Sequence, residues 1–229
     1  MEAEGAKRRM LRQAMASLSG DPLSVQFLGP WFWSMLPGHN PVADALPWMT
    51  FRAIRWLKSY LRPGMSVFEY GAGGSTLFFA ERVGSVVSVE NDPRWHGVVA
   101  RAVEERRLTN CNVRLVPARR VSSSDVPLTP DTDPTDPEFP GQSLEAYVRS
   151  IDAYPDGSFD LVSVDGYARR ACVARAISKV RPGRYLLFDN SDWEVYRDAV
   201  ALLDAYPRTD FPGAGPFQPW AWQTSVWRM

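Results

Sequence analysis

The sequence predicts an α/β fold built on a doubly wound, mostly parallel β-sheet. Two observations lead to this prediction: strand-like and helical segments alternate from residue 50 onward, and most of the strands are apolar throughout rather than on one face. Such strands are typical of a parallel sheet that helices cover on both sides. The 229 residues, 45% of them apolar, suffice for one such domain with appendages.

The first half of the predicted domain, from residue 50 to 116, alternates helix and strand three times. Apolar residues recur at helical spacing from about Thr50 until Pro63 and Gly64 stop the pattern, directly before the first strand. After that strand, which begins near Val67 and leads into Glu69-Tyr70-Gly71, we expect helix 76–83, strand 85–90, helix 93–107 and strand 113–116.

The second half repeats the alternation, with strand 159–165, helix 168–180, strand 185–188 and helix 193–205. The final stretch, 222–228, alternates polar and apolar residues as an edge strand does. Residues 1–49 are predicted to form a helical and aromatic cap that includes an amphipathic helix at 7–18. A Pro- and Asp-rich insertion at about 120–155 is either a lid with a short helix near 144–151 or an inert insertion.

Charge and hydropathy exclude several partners. Lys+Arg and Asp+Glu each number 26, so no net field attracts nucleic acid or an anionic membrane. The sequence contains no apolar run of the roughly 18 residues that span a bilayer, and residues 1–17 lack the apolar core of a signal peptide. Since the two cysteines also lack metal-binding spacing, we expect a cytoplasmic protein without disulfides.

A glycine turn follows the first strand and indicates a nucleotide-like cofactor. Glycines let the backbone turn sharply and approach a ligand closely. The next strand ends at Glu90, whose carboxylate can accept hydrogen bonds from the two hydroxyls of a ribose. A dinucleotide fingerprint requires Gly or Ala where Thr76 stands, which argues against NAD. The predicted cofactor-binding residues in these two segments are Glu69, Gly71, Ala72, Gly73, Ser75 and Glu90.

Four segments together resemble the class I S-adenosylmethionine-dependent methyltransferases: Glu69 to Ser75, Val89-Glu90, Phe159 to Gly166, and Arg181-Pro182-Gly183 before a strand. The resemblance covers roughly residues 50–228. It implies a Rossmann-like, seven-stranded sheet whose last strand is antiparallel. It also implies that the glycine turn holds the methionine part of S-adenosylmethionine, that Glu90 holds the ribose, that Asn91 lies near the adenosine and that Asp165 faces the substrate.

Oxygen-bearing side chains follow two neighbouring strands, in the way of the metal-dependent catechol-type O-methyltransferases. Asp165 follows one strand, and Asp189 and Asn190 follow the next. Two carboxylates and an amide oxygen suit a hard cation, so these residues are the candidate ligands of Mg²⁺. The related enzymes carry a lysine where Ala168 stands, which leaves the usual proton acceptor missing. Capping of the following helices explains the same residues without a metal.

The sequence thus predicts a methyltransferase for a small, hydroxylated or aromatic acceptor, with O-methylation ahead of N-methylation. The candidate catalytic residues are Asp165, Tyr167 and His39. Two alternatives stay open: a nicotinamide-dependent oxidoreductase with an atypical fingerprint, and a non-catalytic cofactor-binding protein of the same fold. Nine tryptophans, several near the two chain ends, fit the core, a homodimer interface or a hydrophobic substrate pocket.

Overall fold

The computed structural model describes residues 22–120 and 142–229, so the predicted helix at 7–18 and the middle of the insertion lie outside the described residues. A 3₁₀ helix at Pro22–Phe27 leads into α1, Leu28–Ser34, and α2 spans Phe51–Tyr60. The hydroxyl of Thr50 accepts a hydrogen bond from the Ala53 N–H and caps α2.

Nine strands are present in the described residues. Seven belong to the main sheet: β1 Ser66–Tyr70, β2 Ser85–Glu90, β3 Cys111–Leu115, β6 Phe159–Val164, β7 Val180–Asp189, β8 Arg208–Ala214 and β9 Ala221–Arg228. Their order is β3-β2-β1-β6-β7-β9-β8. The first five are parallel, and β9 is antiparallel to both of its neighbours. The predicted fold class is confirmed.

The other two strands, β4 Arg119–Arg120 and β5 Gln142–Ser143, pair antiparallel and join the two ends of the insertion. The helices between the strands are α3 Gly74–Ala80, α4 Pro93–Glu105, α5 Glu145–Val148, α6 Arg169–Ala176 and α7 Arg197–Ala201. Shorter 3₁₀ helices lie at Arg149–Ala153, Ile177–Lys179 and Glu194–Tyr196. None of the helices in the described residues is long and apolar enough to cross a membrane.

The core consists of two large apolar clusters, one on each face of the sheet. Successive strand residues alternate between them: Val67 belongs to the cluster packed against α2 and α3, and Phe68 to the cluster packed against α5 and α6. In the same way Leu161 and Val162 lie in opposite clusters, and both are fully buried. This two-sided burial explains why these strands are apolar throughout.

The last strand of the chain is not the edge strand that its alternating pattern predicts. β9 lies between β7 and β8, and β8 forms the edge of the sheet. Because β8 contains Pro212 and Gly213, its sequence gives no strand signal. An edge position tolerates a proline, since one side of the strand needs no partner for its N–H groups.

The part of the insertion from Leu144 to Ile151 belongs to the core. Leu144, Tyr147, Val148 and Ile151 are buried in the cluster that contains Phe68. The Tyr70 hydroxyl also donates a hydrogen bond to the carbonyl of Val148. The lid prediction therefore concerns the remainder of the insertion, of which residues 121–141 lie outside the described part of the chain.

The carboxyl ends of β1, β2, β6 and β7 lie at the same edge of the sheet, because these four strands are parallel neighbours. The segment before α2 packs against this edge. A β-carbon built on Gly74 would collide with the carbonyl oxygens of Pro41 and Leu46, so a side chain at this position would displace the segment. In open α/β sheets ligands bind at this edge.

Candidate functional site

An open cleft of about 750 Å³ lies at the carboxyl ends of these four strands. The sequence-predicted residues that line it are Gly71, Ala72, Gly73, Ser75, Glu90, Asp165, Tyr167, Asp189 and Asn190. Glu69, Asn91 and His39 do not line it. The described structure therefore brings most of the candidate site residues to one cavity.

The turn after β1 touches the turn after β6 directly, backbone against backbone. Gly71 has a φ of +90°, and a β-carbon at this position would lie 2.7 Å from the Cα of Gly166. A β-carbon on Gly166 would in turn lie 3.0 Å from the Cα of Gly71 and would also collide with the Tyr147 hydroxyl. Only glycine combines this left-handed conformation with so close an approach.

Glu69 does not line the cleft, and its carboxylate instead supports the glycine turn through hydrogen bonds. Its Oε2 atom accepts hydrogen bonds from the hydroxyls of Thr76 and Ser88, each at 2.5 Å. The Thr76 oxygen also accepts the Gly73 N–H at 2.9 Å, so the carboxylate fixes the turn through one intermediate side chain. Burial raises the pKa of Glu69 from 4.5 to about 7, although the surrounding hydroxyls oppose this shift.

Glu90 lines the cleft at the end of β2, and three backbone N–H groups donate to its carboxylate. Asn91 and Asp92 donate to Oε1, each at 2.8 Å, and Ala72 donates to Oε2 at 3.2 Å. Burial raises the pKa of Glu90, and these backbone donors lower it. Since each carboxylate oxygen has two lone pairs, Oε2 retains the capacity for one further donor.

Trp95 is a cleft residue that the sequence analysis missed. Its indole N–H donates to the carbonyl of Ala72 at 2.6 Å, which ties α4 to the glycine turn. Asp92 caps α4 by accepting from the N–H groups of Arg94 and Trp95. The available signal was the position of Trp95, in the first turn of the helix that follows the acidic strand end.

Asp165 lines the cleft just after β6, and its carboxylate forms an ion pair with Arg169. The Arg169 Nη2 atom lies 3.1 Å from Asp165 Oδ1. No group in residues 22–120 or 142–229 donates to Oδ2. Burial raises the pKa of Asp165 from 3.8 to about 6, Arg169 lowers it, and the negative charge of Glu69 adds to the rise.

Arg169 also connects the end of β6 to the end of β7. Its Nη1 atom donates to the Asp189 carbonyl at 2.6 Å and to the Asn190 side-chain oxygen at 2.8 Å. Its Nε donates to the Gly166 carbonyl, and Nη2 has a second bond to the Asp165 carbonyl. These contacts use all five N–H groups of the guanidinium. The spacing of Asp165 and Arg169, four residues apart at a helix start, was the sequence signal for this pair.

Two residues at these strand ends adopt the left-handed conformation without being glycine. Ala168 has a φ of +49° and Asn190 a φ of +57°, and both line the cleft. Asparagine tolerates this conformation, whereas alanine pays a cost of about 1–2 kcal/mol. Such strain is typical of functional sites, where the surrounding structure holds the backbone in place.

Asp189 is buried at the end of β7 within a group of hydrogen bonds. The Trp222 indole donates to its Oδ1 atom at 3.0 Å, and the Thr224 hydroxyl also donates to Oδ1. Thr224 in turn accepts the backbone N–H of Thr50 at 3.2 Å, which links the start of α2 to this acid. Burial raises the pKa of Asp189 well above its usual value, and the charge of Asp165 adds to this effect.

These contacts do not support the predicted Mg²⁺ site. The cation that lies among the oxygens of Asp165, Asp189 and Asn190 is the guanidinium of Arg169. The donors of Trp222 and Thr224 hold the Asp189 carboxylate instead of a metal. In the described part of the chain no group of three or more His, Cys, Asp or Glu side chains is arranged to hold a metal ion.

His39 lies outside the cleft, contrary to its prediction as a base. Its Nδ1 atom lies 3.0 Å from Asp44 Oδ1, and its ring packs on Trp33 with the centroids 3.8 Å apart. The histidine thus stabilises the loop before α2. Tyr167 does line the cleft, at the start of the turn into α6.

No protein-family model and no curated protein sequence matches this chain. Solved structures match it at low identity. A proposed O-methyltransferase from Klebsiella pneumoniae is 15% identical, with a TM-score of 0.52, over 91% of this chain and 90% of that one. A proposed methyltransferase from Streptococcus mutans, solved in complex with SAH, is 9% identical, with a TM-score of 0.51, over 77% and 96%.

An rRNA methylase from Streptococcus thermophilus is 11% identical to this chain, with a TM-score of 0.51, over 77% of this chain and 94% of that one. At such identities the likeness concerns the fold. The chain therefore has the fold of the class I S-adenosylmethionine-dependent methyltransferases.

Proposed function

We propose that the protein is an S-adenosylmethionine-dependent methyltransferase that acts on a small hydroxylated or aromatic acceptor, with O-methylation as the leading reaction. One observation carries the proposal: the glycine turn at 71–73, Glu90 and Asp165 line the same cleft. The SAH complex of the Streptococcus mutans protein, which shares the fold, supports the same cofactor.

The residues of the cleft fit S-adenosylmethionine. The volume of about 750 Å³ lies in the range of small-molecule sites, roughly 300–1,000 Å³. Among the residues that the structure describes, a β-carbon on Gly73 would meet only the Ser75 hydroxyl, at 3.8 Å, so these residues leave the space above the turn open to a ligand. We propose that Glu90 Oε2 accepts a ribose hydroxyl and that the partly exposed Trp95 packs beside the adenosine.

The bound cofactor supplies a methyl group on a sulfonium, which a nucleophile with a free lone pair attacks in line with the bond. The chain has to orient that nucleophile and remove its proton. We assign the proton to Asp165 Oδ2, because none of the described residues donates to this atom and its carboxyl has a pKa of about 6. Arg169 is a positioning residue, since it holds the other oxygen and keeps the carboxylate charged at neutral pH.

The proposed reaction proceeds without a metal, because Arg169 occupies the position between the two strand ends. A metal-assisted reaction would need oxygens that the guanidinium, Trp222 and Thr224 already bind. Methyl transfer is therefore expected to be equal in EDTA and in Mg²⁺. A rate that rises with Mg²⁺ and disappears in EDTA would contradict this assignment.

Calorimetry with S-adenosylhomocysteine (SAH) and with NADH tests the cofactor, and we expect SAH alone to bind. Methyl transfer from labelled S-adenosylmethionine to a panel of phenols and amines then tests the reaction. Asp165→Asn should lower the rate at least about 100-fold, the contribution of a general base. Asp156→Asn is the matched control, because this exposed acid precedes β6 at the opposite end from Asp165 and pairs with Lys179.

Each result separates the alternatives. Binding of NADH without SAH would support an oxidoreductase and reject the proposal. SAH binding without transfer to any acceptor would support a non-catalytic protein of this fold. Transfer that Asp165→Asn leaves unchanged would show that another group removes the proton.

A further inference from the structure

Three large aromatic side chains line the cleft with about half of their surface exposed. The exposed fractions are 44% for Trp48, 46% for Trp193 and 50% for Trp220. Tryptophan buries a large apolar area and is costly to leave in water, so a group of exposed tryptophans around one cavity indicates a binding surface. These three residues are termed the tryptophan rim.

The tryptophan rim belongs to the acceptor side of the cleft, near Asp189. Trp220 is two residues from Trp222, and Trp48 is two residues from Thr50. Both of these neighbours belong to the hydrogen-bonded group around Asp189, at the end of β7. Asp165 follows the adjacent strand β6. The rim and the acid to which we assign proton removal thus line the same cleft, at the ends of neighbouring strands.

Trp193 forms the outer member of a stack of flat groups. Its ring is nearly parallel to that of Tyr196, with an interplanar angle of 5° and centroids 6.1 Å apart. The guanidinium of Arg169 lies over the Tyr196 ring, 5.0 Å from its centroid. A flat aromatic ligand can extend this stack on the exposed face of Trp193, at a gain of about 0.5–1.5 kcal/mol beyond burial.

The charges of the cleft do not suit an anionic acceptor. Arg169 and Arg170 are the basic side chains that line it in the described residues. All N–H groups of Arg169 are used, and Arg170 pairs with Asp198 at 3.2 Å. Acidic side chains also outnumber these two arginines, because Glu90, Asp92, Asp165, Asp189 and Asp198 line the same cleft. A carboxylate or phosphate on the acceptor would therefore lose water and meet mostly negative charge.

We propose that the acceptor of the methyl group is a flat aromatic molecule without an anionic group, bound with its ring on Trp193. This inference rests on the proposed methyltransferase function and specifies the substrate class of the same cleft. An amine substituent is compatible with it, since aromatic faces and a carboxylate both attract a cation.

Calorimetry on the SAH-loaded protein tests this proposal with three matched probes. The probes are 2-naphthol, 6-hydroxy-2-naphthoate, which adds a carboxylate, and decahydro-2-naphthol, which is not flat. We expect 2-naphthol to bind at least about 10-fold more tightly than either of the others. Trp193→Leu should weaken 2-naphthol binding about 3- to 10-fold and leave SAH affinity unchanged.

Trp33→Leu is the matched control, because this tryptophan is 48% exposed on α1 and does not line the cleft. Equal or tighter binding of the carboxylate probe overturns the proposal, as does the absence of 2-naphthol binding. Both results leave the methyltransferase function intact when SAH binds. If SAH does not bind, the proposed function fails, and titration of the unloaded protein decides separately whether the tryptophan rim binds flat neutral rings.

Discussion

Replacing Arg169 by methionine removes the guanidinium that joins the ends of β6 and β7. The side chains of Arg169 and Asp165 are only 12% and 18% exposed. Arg169→Met therefore leaves a mostly buried carboxylate without its partner, and it leaves the Asn190 oxygen without a donor. Breaking a buried ion pair from one side costs about 3–5 kcal/mol. We expect a loss of stability of this size.

The neighbouring arginine provides the comparison. Arg170 pairs with Asp198, but these side chains are 58% and 69% exposed, and exposed pairs contribute at most about 1 kcal/mol. Arg170→Met should therefore change stability little. The double variant Arg169→Met/Asp165→Asn should regain part of the loss, at least about 1 kcal/mol, because the unpaired charge is then absent.

Urea unfolding followed by tryptophan fluorescence measures these free energies, with the slope m checked for constancy. The pH dependence of methyl transfer provides an independent measurement. Arg169 lowers the pKa of Asp165, so in Arg169→Met this pKa rises above about 6 and activity begins at a higher pH. The reasoning is refuted if Arg169→Met is as stable as Arg170→Met, or if its pH profile does not move upward.

Two further variants test the glycine turn. The pKa of Glu69 is about 7 in the folded protein and 4.5 in the unfolded chain, so the folded state binds this proton more tightly. Glu69 therefore lowers the stability of the folded state by about 3 kcal/mol as the pH rises through this range. In Glu69→Gln, the free energy of unfolding measured by urea titration should therefore fall less between pH 5 and pH 8 than it does in the wild type. An equal fall in the two proteins would contradict this effect of Glu69. Gly71→Ala should cost at least about 2 kcal/mol and weaken SAH binding, owing to its positive φ and its contact with Gly166. Gly97→Ala, with open space around a helical position, should not destabilise; equal effects of the two alanines would argue against the tight turn.

The buried strands were predictable because burial on both faces leaves an unmistakable apolar run. The predicted strand 85–90 coincides with β2, and the predicted strand 159–165 extends one residue past β6. β8 was not predictable from pattern, since Pro212 and Gly213 contradict strand propensity and only the edge position makes them acceptable. Likewise, the alternating polar and apolar residues of β9 predict an edge strand. In the structure β8, whose sequence shows no strand pattern, pairs with β9 and takes the edge position instead.

The candidate site was predictable where it follows from topology. Parallel strands bring their ends together, so the cleft positions of Glu90 and Asp165 follow from their places after β2 and β6. The sequence could not predict that the cation at these strand ends is the Arg169 guanidinium rather than Mg²⁺, because oxygen atoms at strand ends can bind either of them. His39 could not be placed either, since its pairing with Asp44 depends on how an irregular loop folds.

Because the backbones of Gly71 and Gly166 touch, their two α-carbons fix the distance between the two halves of the cleft. Glycine has no side chain whose rotamer could widen or narrow this distance, so the positions of β1 and β6 in the sheet set the separation of the two turns. Loops elsewhere can lengthen during evolution at little cost. A residue larger than glycine at either position would require both turns to retreat together, and the two sites should therefore change jointly among descendants of this chain or not at all.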